Sequence, residues 1–190
     1  AVPAPGDAAQ APPAPVGSEE ALADEGIARL RAGKRPAVLL GEQVARFGLG
    51  DATAALVQHL GLPWATTLLG KSALGEAAPG FVGVYSGQRS APAARAAIDG
   101  ADALLAIGCT LGRQHRGLVT ERPERLIRID VDGVRFGAAA ARPAELATTL
   151  AALQQRPWSA PTGPRPTLSP PSYARPAPLP ACGSRTGGRT

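Results

Sequence analysis

The chain has 190 residues with a formal net charge of +5, and it contains 20 prolines, 23 glycines, two Trp, two Tyr and three Phe. Few aromatic side chains exist to stack bases, and no basic stripe is interleaved with them, so nucleic acid is excluded as the expected partner. No run of 18 apolar residues occurs, and the first residues lack the charged-then-apolar order of a signal peptide. We therefore expect no membrane association either.

The two cysteines, Cys109 and Cys182, lie far apart in the sequence. Their separation matches neither a zinc-binding spacing nor a convincing disulfide, so the most economical role for Cys109 is that of a small buried apolar side chain. This cysteine usage predicts a reducing compartment, and we expect a cytoplasmic protein.

Both ends of the chain are rich in proline. Residues 1–17 are nearly all Ala, Pro and Gly and predict a linker, because they cannot bury enough apolar surface to offset the entropy of ordering. Residues 154–190 carry frequent prolines and isolated arginines without periodicity, which predicts a disordered tail. The folded domain is expected at residues 18–153.

The composition suggests two hypotheses about the origin of the chain. The chain contains no methionine and begins with Ala1, which indicates a piece excised from a longer polypeptide. The abrupt change at Gln154 is what a frameshift in GC-rich DNA would produce, so the tail is a candidate frameshift product.

Helix and strand patterns alternate along the predicted domain. A helix is expected over residues 18–33, followed by a buried strand at residues 37–40 that ends in Gly41. Asp51 and Gly61 are the expected N-cap and C-cap of the next helix. A strand at residues 64–68 and a loop, LGKSALGE, follow it.

The second half continues the alternation. A helix is predicted over residues 90–101, strands over residues 101–109 and 125–132, and a closing helix over residues 142–153 with Pro143 in its first turn. This order predicts an α/β domain with an open, doubly wound parallel sheet. The three-layer α/β/α arrangement is a DHS-like fold of the NAD/FAD-binding type, with its sheet between residues 36 and 132.

The carboxyl ends of parallel strands share one edge of such a sheet, and ligands bind in the crevice there. Residues that follow the predicted strands are therefore the candidate cofactor-binding residues: Gly41, Thr67, Lys71, Gly108, Thr110 and Asp130.

Three motifs have simpler interpretations. Gly70, Lys71 and Ser72 resemble the end of a phosphate-binding P-loop, but Ala65 stands where that loop needs glycine, which favours a solvated surface lysine. The sequence DVDG at residues 130–133 lacks the later ligands of a calcium loop and predicts a strand ending in a turn. His59 and His115 have no third ligand at metal spacing, so we predict structural or surface histidines and no metal site.

Four segments together are distinctive: EQVARFGLGD, GLPWATTLLGKSALGE, FVGVYSGQRSAPAARAAIDGADALLAIGCTL and RLIRIDVDGVRFG. They resemble the central domain of thiamine-diphosphate-dependent enzymes, and most of all the pyruvate and indolepyruvate branch of the 2-oxo acid decarboxylases. The resemblance extends from about residue 20 to residue 153.

The resemblance implies thiamine diphosphate and Mg²⁺ as cofactors of the intact enzyme, bound by an N-terminal domain with an activating glutamate and a C-terminal domain with a GDG and asparagine motif. This sequence has neither motif and no asparagine at all. We therefore expect a non-catalytic domain that is inactive alone, whose partners are the two outer domains in a homo-oligomer of the lyase.

A second hypothesis comes from the fold. Some central domains of the superfamily bind FAD or ADP, so a free-standing adenine-nucleotide module is the alternative. Against it, GEQVARFG after the first strand lacks the G-x-G-x-x-G turn, and the branch that the chain resembles leaves this crevice empty.

Overall fold

The computed structural model describes residues 18–161. Within this range the chain alternates helices and strands around one mixed sheet. In chain order, the elements are α1 (Ser18–Ala32), β1 (Pro36–Leu40), α2 (Glu42–Arg46), α3 (Gly50–Leu60), β2 (Trp64–Thr67), β3 (Phe81–Tyr85), α4 (Pro92–Asp99), β4 (Ala103–Ile107), α5 (Arg116–Thr120), β5 (Leu126–Asp130), β6 (Gly133–Phe136) and α6 (Leu146–Gln154).

The sheet has the order β3-β2-β1-β4-β5-β6. Strands β1 to β5 are parallel, and the strand order reverses direction between β1 and β4. Leu40 at the end of β1 pairs with Thr66 in β2 on one side and with Ile107 in β4 on the other. The predicted α/β fold is confirmed, and its switch point lies between β1 and β4.

Alternate side chains of β1 enter the two apolar layers that cover the sheet. Val38 and Leu40 belong to the layer that includes side chains of α1, α3 and α6. Ala37 and Leu39 belong to the opposite layer, with side chains of α4 and α5. A strand buried on both faces needs apolar residues at every position, which explains the unbroken PAVLL run.

Two strands were not predicted from the sequence. No strand is predicted between residues 68 and 101, whereas Phe81–Tyr85 is a strand at the edge of the sheet, parallel to β2. Gly83, at a φ of 119°, breaks the apolar pattern there. Strand β6 pairs antiparallel with β5, so DVDG is the expected turn after a strand and also the connection of a hairpin.

Helix boundaries differ from prediction at two N-termini. The N-cap of α3 is Leu49, so Asp51 lies inside the first turn instead of capping the helix. Helix α6 begins at Leu146, not at residue 142. Arg142 exchanges backbone hydrogen bonds of 2.8 and 2.9 Å with Val134 and so extends the β6 edge, which keeps Pro143 outside the helix. The predicted C-cap, Gly61, is confirmed in the left-handed conformation at a φ of 58°.

Residues that follow α6 contact the domain. Trp158 packs against the apolar layer of α3 and donates its Nε1 hydrogen to the Leu60 carbonyl at 2.7 Å. Arg156 forms an ion pair of 2.6 Å with Asp24. The proline-rich composition gave no sign of these contacts, and the domain boundary at residue 153 stays a prediction. Residues 1–17 and 162–190, with the predictions for a linker and a frameshifted tail, lie outside the described residues.

Candidate functional site

The loops that follow β1, β2 and β4 meet at the switch point of the sheet. Gly41 donates its N–H to the Ile107 carbonyl at 2.8 Å, and Gln43 donates to the Gly108 carbonyl at 3.1 Å. Gly108 itself donates to the Ile129 carbonyl at 2.7 Å. Backbone N–H groups at such a crevice are the groups that hold a phosphate. Here these three already have acceptors within the protein.

Glycine allows these loops to touch through their backbones. A Cβ atom on Gly41 would lie well inside van der Waals contact with the Gly108 carbonyl, and one on Gly70 would lie 2.6 Å from the Leu40 carbonyl oxygen. Three loops therefore fill the switch point with main chain. The sequence placed Gly41 and Gly108 at this edge correctly, and the structure brings them into direct contact.

The candidate residues after β2 form a tight turn. Thr67 is buried, and its Oγ1 accepts a hydrogen bond of 3.0 Å from the N–H of Gly70. Ser72 has a φ of 84°, and Lys71 is exposed at the outside of the turn. Ala65, at the position where a P-loop would need its first glycine, is a residue of strand β2.

The remaining candidates pair with protein groups. Thr110 donates to the Oε1 atom of Glu42, whose Oε2 atom is buried without a hydrogen-bond partner in the described structure. Asp130 accepts hydrogen bonds from Arg128 at 2.7 Å and from the N–H of Asp132 at 3.0 Å. These contacts tie the loop after β4 to α2 and stabilise the β5–β6 turn. Cofactor binding by any of the six candidates stays a prediction.

Cys109 and the two histidines contact other groups of the protein. Burial raises the pKa of the Cys109 thiol, which donates to the Leu39 carbonyl at 3.3 Å and is therefore held protonated. His59 lies on the surface with its Nε2 atom 2.9 Å from the Arg156 carbonyl oxygen. His115 is buried and stacks on Tyr85 with 5.9 Å between ring centroids. Within residues 18–161, no group of three or more His, Cys, Asp and Glu side chains could hold a metal ion.

Comparison with known proteins identifies this architecture. Residues 23–154 match the family model of the thiamine pyrophosphate enzyme, central domain. The chain belongs to this family. The match covers β1 to β6 and α6, so it includes every strand described above.

Relatives of known name are alpha-keto-acid decarboxylases. The protein of Mycobacterium tuberculosis (strain CDC 1551 / Oshkosh) is 35% identical over 94 residues, which cover 48% of this chain and 17% of the relative. That of Mycobacterium leprae (strain TN) is 35% identical over 103 residues, 54% of this chain and 18% of the relative. That of Mycobacterium avium (strain 104) is 40% identical over 70 residues, which cover 37% of this chain and 12% of the relative. The matched region thus spans less than a fifth of these relatives.

The central-domain family implies thiamine diphosphate, but the described residues do not fit a site for it or for Mg²⁺. No cluster of metal-ligating side chains occurs in residues 18–161, and the N–H groups of Gly41, Gln43 and Gly108 at the switch point donate to carbonyl groups of the protein. None of the described helices has the length and apolar character required to cross a bilayer.

His115 should make the stability of the central domain depend on pH. Burial lowers its pKa below the ordinary value of about 6.5, and neither ring nitrogen has a hydrogen-bond partner in the described structure. Since the unfolded chain binds a proton more readily, the free energy of unfolding should fall as the pH drops below about 6.5, until the pH passes the folded-state pKa. Urea unfolding at a series of pH values measures this loss.

The variant His115→Phe keeps a ring against Tyr85 but cannot titrate, so this part of the pH dependence should disappear. His59→Gln removes an exposed histidine and serves as the matched control for the loss of one histidine. An identical pH profile for His115→Phe and the unmodified chain would contradict the assignment.

One feature of the site region was missed by sequence reasoning. An open cavity lies beside α4 and contains guanidinium groups from arginines spread between residues 89 and 125. The signal that could have found it in the sequence is the group of arginines on either side of His115.

Proposed function

We propose that this chain is the central domain of a thiamine-diphosphate- and Mg²⁺-dependent 2-oxo acid decarboxylase, and that it supports the catalytic domains without performing chemistry itself. The observation that carries the proposal is the match of residues 23–154 to the central-domain family. The self-contained switch point agrees with a supporting role, because its main-chain donors already have protein acceptors.

The substrate class follows from the relatives. Proteins named alpha-keto-acid decarboxylase share 35–40% identity with this domain, which favours a 2-oxo acid over other substrates of thiamine enzymes. The resemblance of PWATTLLGKS and GVYSG to the pyruvate and indolepyruvate branch makes these two acids the first to test. Bound thiamine diphosphate supplies the electron sink for loss of CO₂.

The partners proposed for the chain are the two outer domains, in a homo-oligomeric lyase. Apolar side chains are exposed at the carboxyl edge of the sheet: Leu68 and Leu69 after β2, Phe47 after α2 and Val131 after β5, each at least 51% exposed. The adjacent exposed side chains of Leu68 and Leu69 favour contact with another surface. The proposed location is the cytoplasm. Cys109 supports this proposal because it is a buried free thiol, as expected in a reducing compartment.

The function can be tested by domain exchange. Residues 18–161 would replace the central domain of the Mycobacterium tuberculosis alpha-keto-acid decarboxylase, and CO₂ release from pyruvate and indolepyruvate would be measured with thiamine diphosphate and Mg²⁺. The hybrid should be active, whereas this chain alone and the relative without its central domain should release no CO₂. Turnover by the isolated chain, or a folded but inactive hybrid, would refute the proposal.

The same preparations separate the supporting role from the adenine-nucleotide hypothesis. FAD, ADP and NAD would be titrated into the chain while its melting temperature is followed. We expect no shift at millimolar ligand, because the main-chain donors at the switch point are occupied. A micromolar affinity for any of the three would favour the nucleotide module instead.

A further inference from the structure

The segment QRPWSA, residues 155–160, follows α6 and contacts both α1 and α3. We call this segment the clasp. It lies beyond residues 23–154, which match the family model, so membership of the family does not account for its contacts. Three consecutive residues of the clasp make the hydrogen bonds and ion pairs that hold it: Arg156, Pro157 and Trp158.

Arg156 joins the clasp to the first helix of the domain. Its Nε group forms an ion pair of 2.6 Å with Asp24, and its Nη2 group donates to the Glu20 carbonyl at 3.0 Å. Such bonds from a guanidinium are charge-assisted and stronger than neutral ones. Arg31, in the last turn of α1, donates to the Pro157 carbonyl. Groups near both ends of α1 are therefore bound to two consecutive residues of the clasp.

Trp158 joins the clasp to the end of α3. Its Nε1 group donates to the Leu60 carbonyl at 2.7 Å, and its ring packs against the apolar layer of α1, α3 and α6. The last carbonyls of a helix have no partner within the helix, so this bond satisfies the indole and the end of α3 together. The neighbouring His59 has its Nε2 atom 2.9 Å from the Arg156 carbonyl oxygen.

The position of the clasp shows what it controls. Leu60 precedes the first residue of β2 by four positions, so the clasp reaches the amino edge of the sheet, opposite the switch-point crevice. Helix α1 contributes Leu22, Ile27 and Leu30 to the apolar layer beneath it, each at most 3% exposed. Movement of α1 away from α3 would expose these side chains to water, which is unfavourable.

We propose that the clasp is a conformational device that holds α1 against α3 and fixes the path by which the chain leaves the domain. While it is closed, the residues after α6 stay beside the first turns of α1. When it opens, α1 and the chain beyond the clasp become free to move. One consequence rests on the proposed function: in the intact enzyme, the connection to the following domain would begin beside the first helix of the central domain.

Spin labels on the variant Ala21→Cys/Ser159→Cys measure whether the clasp is closed in the full 190-residue chain. Both positions are exposed, Cys109 is buried, and Cys182→Ser removes the remaining thiol. Double electron–electron resonance should give one narrow distance below about 25 Å, because Ser159 lies three residues from Arg156. Adding Arg156→Gln/Trp158→Ala should broaden the distribution and add distances about 10 Å longer, since five residues beyond α6 become free to extend.

Arg46→Gln removes an exposed arginine of α2 away from the clasp and is the matched control, with the distance of the labelled parent chain. Circular dichroism melting establishes that each variant is folded. If the Arg156/Trp158 double substitution prevents folding, Arg156→Gln alone decides the question, because it leaves Trp158 in place and should also add longer distances.

A broad distribution in the labelled parent chain would overturn the proposal. So would a distance that stays equally narrow in Arg46→Gln and in the folded clasp variant. Neither result involves release of CO₂, so a failure of this inference is distinct from a failure of the proposed function, which the domain exchange tests.

Discussion

Replacing Gly41 by alanine should lower the free energy of unfolding by about 3 kcal/mol, the upper part of the usual range for overpacking. Gly41 has a φ of −112° and a ψ of −177°, a conformation that alanine adopts without strain. The cost is therefore steric, because the new Cβ atom would overlap the Gly108 carbonyl and the Cys109 Cα atom. Neither main-chain group can rotate away as a side chain can.

Urea unfolding followed by circular dichroism measures this change. Gly75→Ala is the matched control, since no atom outside its neighbours lies within 4 Å of an added Cβ atom. Its effect should stay within about 0.5 kcal/mol. If Gly41→Ala were as stable as the control, the loops after β1 and β4 would not be in contact as described.

Replacing Trp64 by alanine should cost about 3–5 kcal/mol, the range for large aromatic residues removed from a core. Trp64 is fully buried in β2, and its ring lies 4.7 Å from that of Phe81 between centroids. It also donates its Nε1 hydrogen to the Pro79 carbonyl at 2.9 Å. The substitution would leave a cavity beneath the edge strand β3 and an unpaired carbonyl.

Trp64→Phe separates these two contributions, because it keeps an aromatic ring and loses the hydrogen bond, at a cost of about 1 kcal/mol from that bond. Leu68→Ala, at a side chain that is 59% exposed, is the control for truncation at the end of the same strand. It should change the free energy of unfolding by less than about 0.5 kcal/mol. A loss in Trp64→Ala no larger than that in Leu68→Ala would contradict the described packing.

The central strands were predictable because burial on both faces demands a continuous apolar run. The segments PAVLL and ALLAI have this property, and they form β1 and β4. The two outermost strands lacked it. Gly83 interrupts β3, and Arg135 in β6 is only partly buried. An edge strand pairs on one side only, so its sequence carries a weaker apolar signal.

The same contrast holds for the candidate sites. Parallel topology alone was enough to predict that Gly41 and Gly108 share the carboxyl edge of the sheet. Their contact depends on loop conformation, which no local pattern specifies. The cavity beside α4 was not predictable, because Arg89 and Arg125 are distant in sequence and line one cavity only after β3, α4 and β4 have packed.

The sequence by itself determined the α/β alternation, the parallel core strands and the resemblance to thiamine enzyme central domains, because each depends on residue types at local spacing. The tertiary structure decided that main chain fills the switch point, that residues 156–160 pack on the domain, and that scattered arginines share one cavity. These features depend on distances between segments far apart in the chain, which are fixed only when the apolar layers on both sides of the sheet close.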